Sequence, residues 1–155
     1  MFNKRLSQYL GFEKVVLALL AAVGLVRLGL SLAGTPDTTV RWLSMNVVVL
    51  AGILYCGVAV HTRGFGSYKQ LLPLVFFQVV VLHSIAVLGI LLAIGGFPNI
   101  FAAPGYSGPA APESQWTHIL AHLTIGMIVP PLLGWGIASL TLLITKKVAR
   151  RPAAA

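Results

Sequence analysis

The chain is short of charge. Of its 155 residues only 9% are Asp, Glu, Lys or Arg, and three of those are acidic. Soluble domains carry about 25% charged residues, so too little charge is present to coat a water-facing surface. A disordered tail is excluded on the same ground, because such segments are rich in charge. The one cysteine, Cys56, lies inside an apolar run. A single thiol forms no internal disulfide and no thiolate cluster, and reads as a small hydrophobe. The three carboxylates, Glu13, Asp37 and Glu113, are far apart in the sequence, so no paired-carboxylate catalyst is visible. No nucleophile–base pair is evident either. The turn Arg63-Gly64-Phe65-Gly66 lacks the lysine and the strand–loop–helix setting of a phosphate loop. With no catalytic residue to name, the expectation leans away from an enzyme. Strict alternation of polarity is missing too, which excludes a barrel, and no internal repeat suggests an inverted-repeat transporter.

What fills the chain is apolar: 57% hydrophobic residues and a mean hydropathy of +0.91. About 20 helical residues cross a hydrocarbon layer, and lipid offers a backbone no hydrogen-bond partners outside a helix or closed barrel. Four runs qualify, giving an all-α integral membrane four-helix bundle, one domain over 1–155, with helices near 15–33, 42–60, 71–97 and 118–145. A bend is expected near Ile128–Pro131, since Pro130 and Pro131 lack backbone donors and crowd the preceding turn. Lys4 and Arg5 precede the first run as in a signal peptide. That run is longer than a signal core and carries Arg27, so retention is expected.

Charge sets the orientation. Lys4, Arg5, Lys14, Arg63, Lys69, Lys146, Lys147, Arg150 and Arg151 fall on one side, whereas Arg41, Asp37 and Glu113 fall on the other. The positive-inside rule then places both termini in the cytoplasm (N-in/C-in), with a prokaryotic plasma (inner) membrane as the expected setting. The basic residues lie in short loops without interleaved aromatics, so no nucleic-acid partner is expected. The Lys146–Arg151 tail suits anionic lipid instead. A long extracytoplasmic loop, 98–117, is rich in Pro and Gly, with Phe97, Phe101, Tyr106 and Trp116 able to anchor it at the headgroups.

Polar residues inside the runs are the site candidates. Arg27 is costly within a span; it either binds an anionic group or snorkels toward the surface. Asn46 and Gln78 read as interhelical hydrogen-bonding residues. His61 borders the inner loop and reads as solvated. His118 and His122 are four apart, hence on one helix face, and His83 lies mid-helix. Arg27, His83, His118 and His122 are the candidate cofactor residues, with haem b the possible group. Against haem, His83 and His122 are expected to differ in depth by about 10 Å at 1.5 Å per residue. Four histidines with no internal acid fit no metal motif, so no metal ligand is assigned. Arg27, Asn46, His118 and His122 share the outer half and are candidates for one polar pocket. Small residues mark packing faces: Ala18, Ala22 and Gly29; Gly52, Cys56 and Ala59; Gly134 and Ala138. Packing faces outnumber catalytic groups. The expected role is thus an accessory or structural subunit beside a larger membrane complex, or beside further copies of itself. The alternatives are a haem- or quinone-interacting electron-transfer anchor and a small oligomeric transporter or channel.

Overall fold

A computed structural model describes residues 4–102 and 112–149. Tyr106, Arg150 and Arg151, which the sequence offered as a headgroup anchor and as part of a lipid-binding tail, lie outside the described residues. The described chain is helical: α1 (Leu6–Leu32), α2 (Asp37–Val40), α3 (Met45–Thr62), α4 (Tyr68–Ile94), α5 (Pro112–Leu123) and α6 (Ile125–Val148). By length and composition, four stretches are able to cross a membrane: Leu6–Leu32, Asp37–Thr62, Tyr68–Ile94 and Ser114–Val148. Their outward faces are apolar as well. Leu25, Val47, Ile125 and Leu140 are all more than half exposed, as lipid rather than water would favour.

Caps and turns explain the helix limits. The Ser44 hydroxyl accepts from the Val47 amide at α3, and the Gln70 carboxamide oxygen accepts from the Ser67 amide at 2.8 Å at α4. Helices α1, α3 and α4 each run out into a glycine with positive φ, namely Gly34, Gly64 and Gly96, the conformation that turns the chain most cheaply.

Helix α4 is the centre: it packs on α1, α3, α5 and α6. Its buried Leu71, Leu74, Val75 and Val79 join Ile53, Cys56 and Val60 of α3 and Ala138 and Leu142 of α6 in the main core. Close approach depends on glycine. A Cβ at Gly134 would lie 2.6 Å from Val75, and one at Gly57 would lie 2.8 Å from the Ala138 carbonyl. Of the small-residue faces, Gly52–Cys56–Ala59 and Gly134–Ala138 are turned into the bundle, whereas Ala18, Ala22 and Gly29 lie on the exposed side of α1.

Three features differ from the sequence reading. Helix α1 begins at Leu6 rather than near residue 15, so Glu13 and Lys14 lie within its span, with the helix interrupted at Glu13. Glu13 lies on the inward stripe with Tyr9, Leu20, Gly24 and Leu28, so a residue that interrupts an apolar run still belongs to the bundle. The break in the last helical stretch falls at Thr124, with φ −109° and ψ −85°, upstream of the prolines. A proline crowds the carbonyl four residues earlier, at Gly126 and Met127, and the irregular residue sits just before that turn. Thr124 Oγ1 donates instead to the Leu120 carbonyl at 2.6 Å. Finally, His61 is not solvated. It is buried, with Nε2 3.1 Å from the Ala149 carbonyl.

Candidate functional site

The bundle has a basic end, where α1 starts and α6 finishes, and an opposite end closed by α2 and the turn after α4. Polar side chains gather near that opposite end. Arg27 comes from the last two turns of α1, Asn46 from the first turn of α3, His83 from the middle of α4, and His118 and His122 from α5.

Three imidazoles form a chain. His83 Nδ1 lies 2.6 Å from His122 Nδ1, and His122 Nε2 lies 3.1 Å from His118 Nε2. The ring centroids are 4.8 Å and 4.7 Å apart along it. The expected depth offset between His83 and His122 is therefore absent. Counting from the ends of apolar runs assumed parallel helices starting at 118. In the fold α5 begins at Pro112, and the break at Thr124 gives it an axis of its own against α4. Gly126, just after the break, completes the approach: a Cβ there would stand 2.9 Å from His83 Nε2.

A neutral imidazole has one donor nitrogen and one acceptor. In such a row, each contact orders the next tautomer: when His83 Nδ1 donates to His122, His122 Nε2 donates to His118, and the opposite order is equally complete. Moving a proton along the row converts one order into the other, so His118 and His83 are electrically linked ends.

The row borders a cavity of about 210 Å³ lined by Arg27, Met45, Asn46, Leu82, Ala86, Phe101, His118 and His122. Arg27 reaches over the Phe101 ring, with Cζ 5.6 Å from its centroid, and its Nε is buried without a hydrogen-bond partner. The cavity wall is fastened from two sides. Ser31 Oγ accepts from the Ile100 amide at 2.8 Å, and Asn99 Nδ2 donates to the Gly89 carbonyl at 2.7 Å. Gly89 itself is packed by the Phe101 ring, so Phe101 is held in place. Arg27, Asn46, His118 and His122 thus border one space, and His83 stands behind His122.

The arrangement limits what can bind. Pockets for drug-sized ligands run about 300–1,000 Å³, so this cavity by itself is too small for a haem macrocycle; a second space of about 350 Å³ opens on His118, Ala121, His122 and Ile125. His122 also has both nitrogens engaged with other histidines, leaving no free axial ligand at that residue. Among the described residues no group of three His, Cys, Asp or Glu side chains is arranged to hold a metal ion. A larger groove of about 550 Å³ lies nearer the basic end, but its walls, among them Leu6, Tyr9, Phe76, Met127 and Pro131, offer little beyond apolar surface.

A second polar cluster escaped the sequence reading. Glu13 Oε2 accepts from Gln78 Nε2 at 3.0 Å, with the Cys56 thiol 3.9 Å away. All three residues are buried. The signal was the register of α1: Tyr9, Glu13, Leu20, Gly24 and Leu28 follow one helical stripe, which continues through the charges that end the apolar run. No family model, no curated protein and no solved structure matches the chain; the function has to be read from this geometry.

Proposed function

We propose that the protein is a polytopic membrane protein, N-in/C-in, that binds the headgroup of a lipid-soluble quinone in its polar cavity, where Arg27 and the histidine row hydrogen-bond its ring oxygens. The observation that carries this reading is the contact sequence His83–His122–His118 at the wall of a cavity that Arg27 also lines. Arg27 supplies N–H donors to a ring carbonyl, and its charge favours the reduced, more anionic state of the ring. His118 hydrogen-bonds a ring oxygen, and the tautomers of His122 and His83 adjust so that it can donate or accept that bond. A flat ring carrying two oxygens suits about 210 Å³, with its isoprenoid tail left among lipid. The N-in/C-in orientation is supported by the distribution of lysine and arginine.

The test is binding of a short-tailed ubiquinone or menaquinone analogue to the protein in lipid nanodiscs. Saturable binding is expected, weakened at least tenfold in Arg27→Gln and His118→Gln, since a hydrogen bond to a charged group contributes about 1.5–3 kcal/mol. Non-saturable partition, identical in the variants, would sink the reading. A Soret band after purification in mild detergent would replace quinone with haem.

A second reading, the accessory subunit of a larger complex, is supported by the exposed stripe of Ala18, Ala22 and Gly29 on α1, which allows another helix a close approach. Co-migration with partner chains on a native gel, lost in Ala22→Leu, tests it. The two readings are compatible. A transporter or channel is less well supported, because the fully buried Leu20 along α1 and the buried Val79 along α4 lie between the two polar clusters.

A further inference from the structure

Helix α1 is interrupted at the same residue whose side chain is its only buried charge. Glu13 has φ −111° and ψ 15°, outside the helical region, and is 1% exposed. Oε2 accepts from Gln78, but Oε1 has no hydrogen-bond partner; nor have Gln78 Oε1 and the Tyr9 hydroxyl, both also buried. No lysine or arginine among the described residues forms an ion pair with Glu13. Buried oxygens therefore outnumber the donors that reach them. An ionised carboxylate so placed is uncompensated, and a buried charge without a partner is strongly disfavoured.

Besides water, two ligands could satisfy orphaned oxygens: a metal cation or a proton. The packing speaks against the cation. Gln78 Oε1 occupies the position a Cβ of Gly52 would take, and Val16 closes the same spot at 2.6 Å. A sodium-sized ion needs several oxygens around an open centre, whereas a proton needs only a bond to Oε1.

We propose that Glu13 is a proton-binding site within the basic half of the bundle, that its carboxyl is held as the neutral acid, and that releasing the proton loosens α1 at its interruption. The arm before it, Leu6–Phe12, is held to the loop after α3 by aromatic contacts. Phe12 stacks on Phe65 at 4.0 Å between centroids, Tyr9 meets the same ring edge-on at 5.6 Å, and Lys4 lies 4.5 Å above it. A charge at position 13 draws water into the interruption and separates this arm from the helix that follows. The groups that face Glu13 are Cys56 from α3, the neutral Gln78 from α4, and Tyr9 one turn earlier on α1. Lys14, its neighbour in sequence, is exposed.

Dicyclohexylcarbodiimide, an apolar reagent that attacks protonated carboxyls, tests the site in vesicle-reconstituted full-length protein, with adducts mapped by mass spectrometry. At neutral pH the adduct is expected on Glu13 and not on Asp37 or Glu113, its yield falling as pH rises. Cys56→Ala is expected to keep this profile, which separates the carboxyl from the thiol. Hydrogen exchange, corrected for intrinsic rates, reads the arm: protection over residues 6–12 is expected to fall at least tenfold at high pH in wild type and to stay constant in Glu13→Gln. Three results overturn the proposal: no adduct on Glu13, labelling suppressed by sodium at constant pH, or an equal loss of protection in wild type and Glu13→Gln. The labelling arm uses wild-type protein and so stands even if a variant fails to fold.

Discussion

The two polar clusters solve the same problem in opposite ways. The histidine row near the α2 end borders open space, and its members are alike: the central His122 meets a second imidazole at each nitrogen. The Glu13–Gln78–Cys56 cluster nearer the basic end is sealed, and its members are unlike, an acid, an amide and a thiol. Buried polar groups in an apolar setting persist when they are satisfied or when they serve a purpose. The open cluster accommodates a visitor, whereas the closed one accommodates only what already fits between Gly52 and Val16.

The largest expected effect attacks the closed cluster. Gly52→Val drives a branched side chain into Gln78 and Val16 and should destabilise by about 3 kcal/mol or more, at the upper end of overpacking costs. Reversible unfolding in mixed micelles followed by circular dichroism measures it; a stability near wild type would show that the cluster is looser than described. Glu13→Ala follows, removing the acceptor of Gln78 Nε2 and costing about 1–3 kcal/mol through an unsatisfied buried amide. In the same assay Glu13→Gln should lose less than Glu13→Ala. Equal losses would mean that the carboxyl itself, and neither its volume nor its acceptor oxygen, holds the site.

The open cluster should yield more gently. Gly126→Ala crowds the His83 ring and is expected to cost about 1–2 kcal/mol while breaking the row. Nitrogen-15 chemical shifts of the imidazoles report the contact directly, and unchanged shifts would show that α5 moves aside without loss. Smallest is Trp135→Phe, which removes the bond from Nε1 to the Tyr68 carbonyl at 2.8 Å and should cost about 0.5–1.5 kcal/mol without altering either cluster. A change in histidine shifts from that variant would show that the row senses packing at the start of α4.

Much of the scaffold was legible because long uncharged apolar runs leave a backbone few solutions. Uncharged runs of sufficient length mark helices almost irrespective of their detail, and the runs around Gly52 and Val79 overlap α3 and α4 with ends two or three residues apart. The limits were less legible, because a run ends at a charge whereas a helix ends where its hydrogen bonds do. Glu13 and Lys14 show the difference: one points inward, the other outward, and a tally of charge treats them alike. The gathering of Arg27, Asn46, His118 and His122 could be inferred from depth along the chain, but depth says nothing of facing. The contact of His83 with His122 depends on the irregular Thr124 and on the missing side chain of Gly126, two local matters that helical periodicity does not encode. The pairing of Glu13 with Gln78 joins residues 65 apart in sequence, and only the packed bundle brings them together.

The bond from the Ile100 amide to Ser31 Oγ does more than tie down a turn. Ser31 and Arg27 are four residues apart on one helix, so fastening the first sets the rotational phase of the second. With 3.6 residues per turn, one inserted residue between them would swing the guanidinium about 100° around the axis, while the clasp at Ile100 held its own end still. The stretch from Arg27 to Ser31 is thus a ruler whose length matters more than its composition.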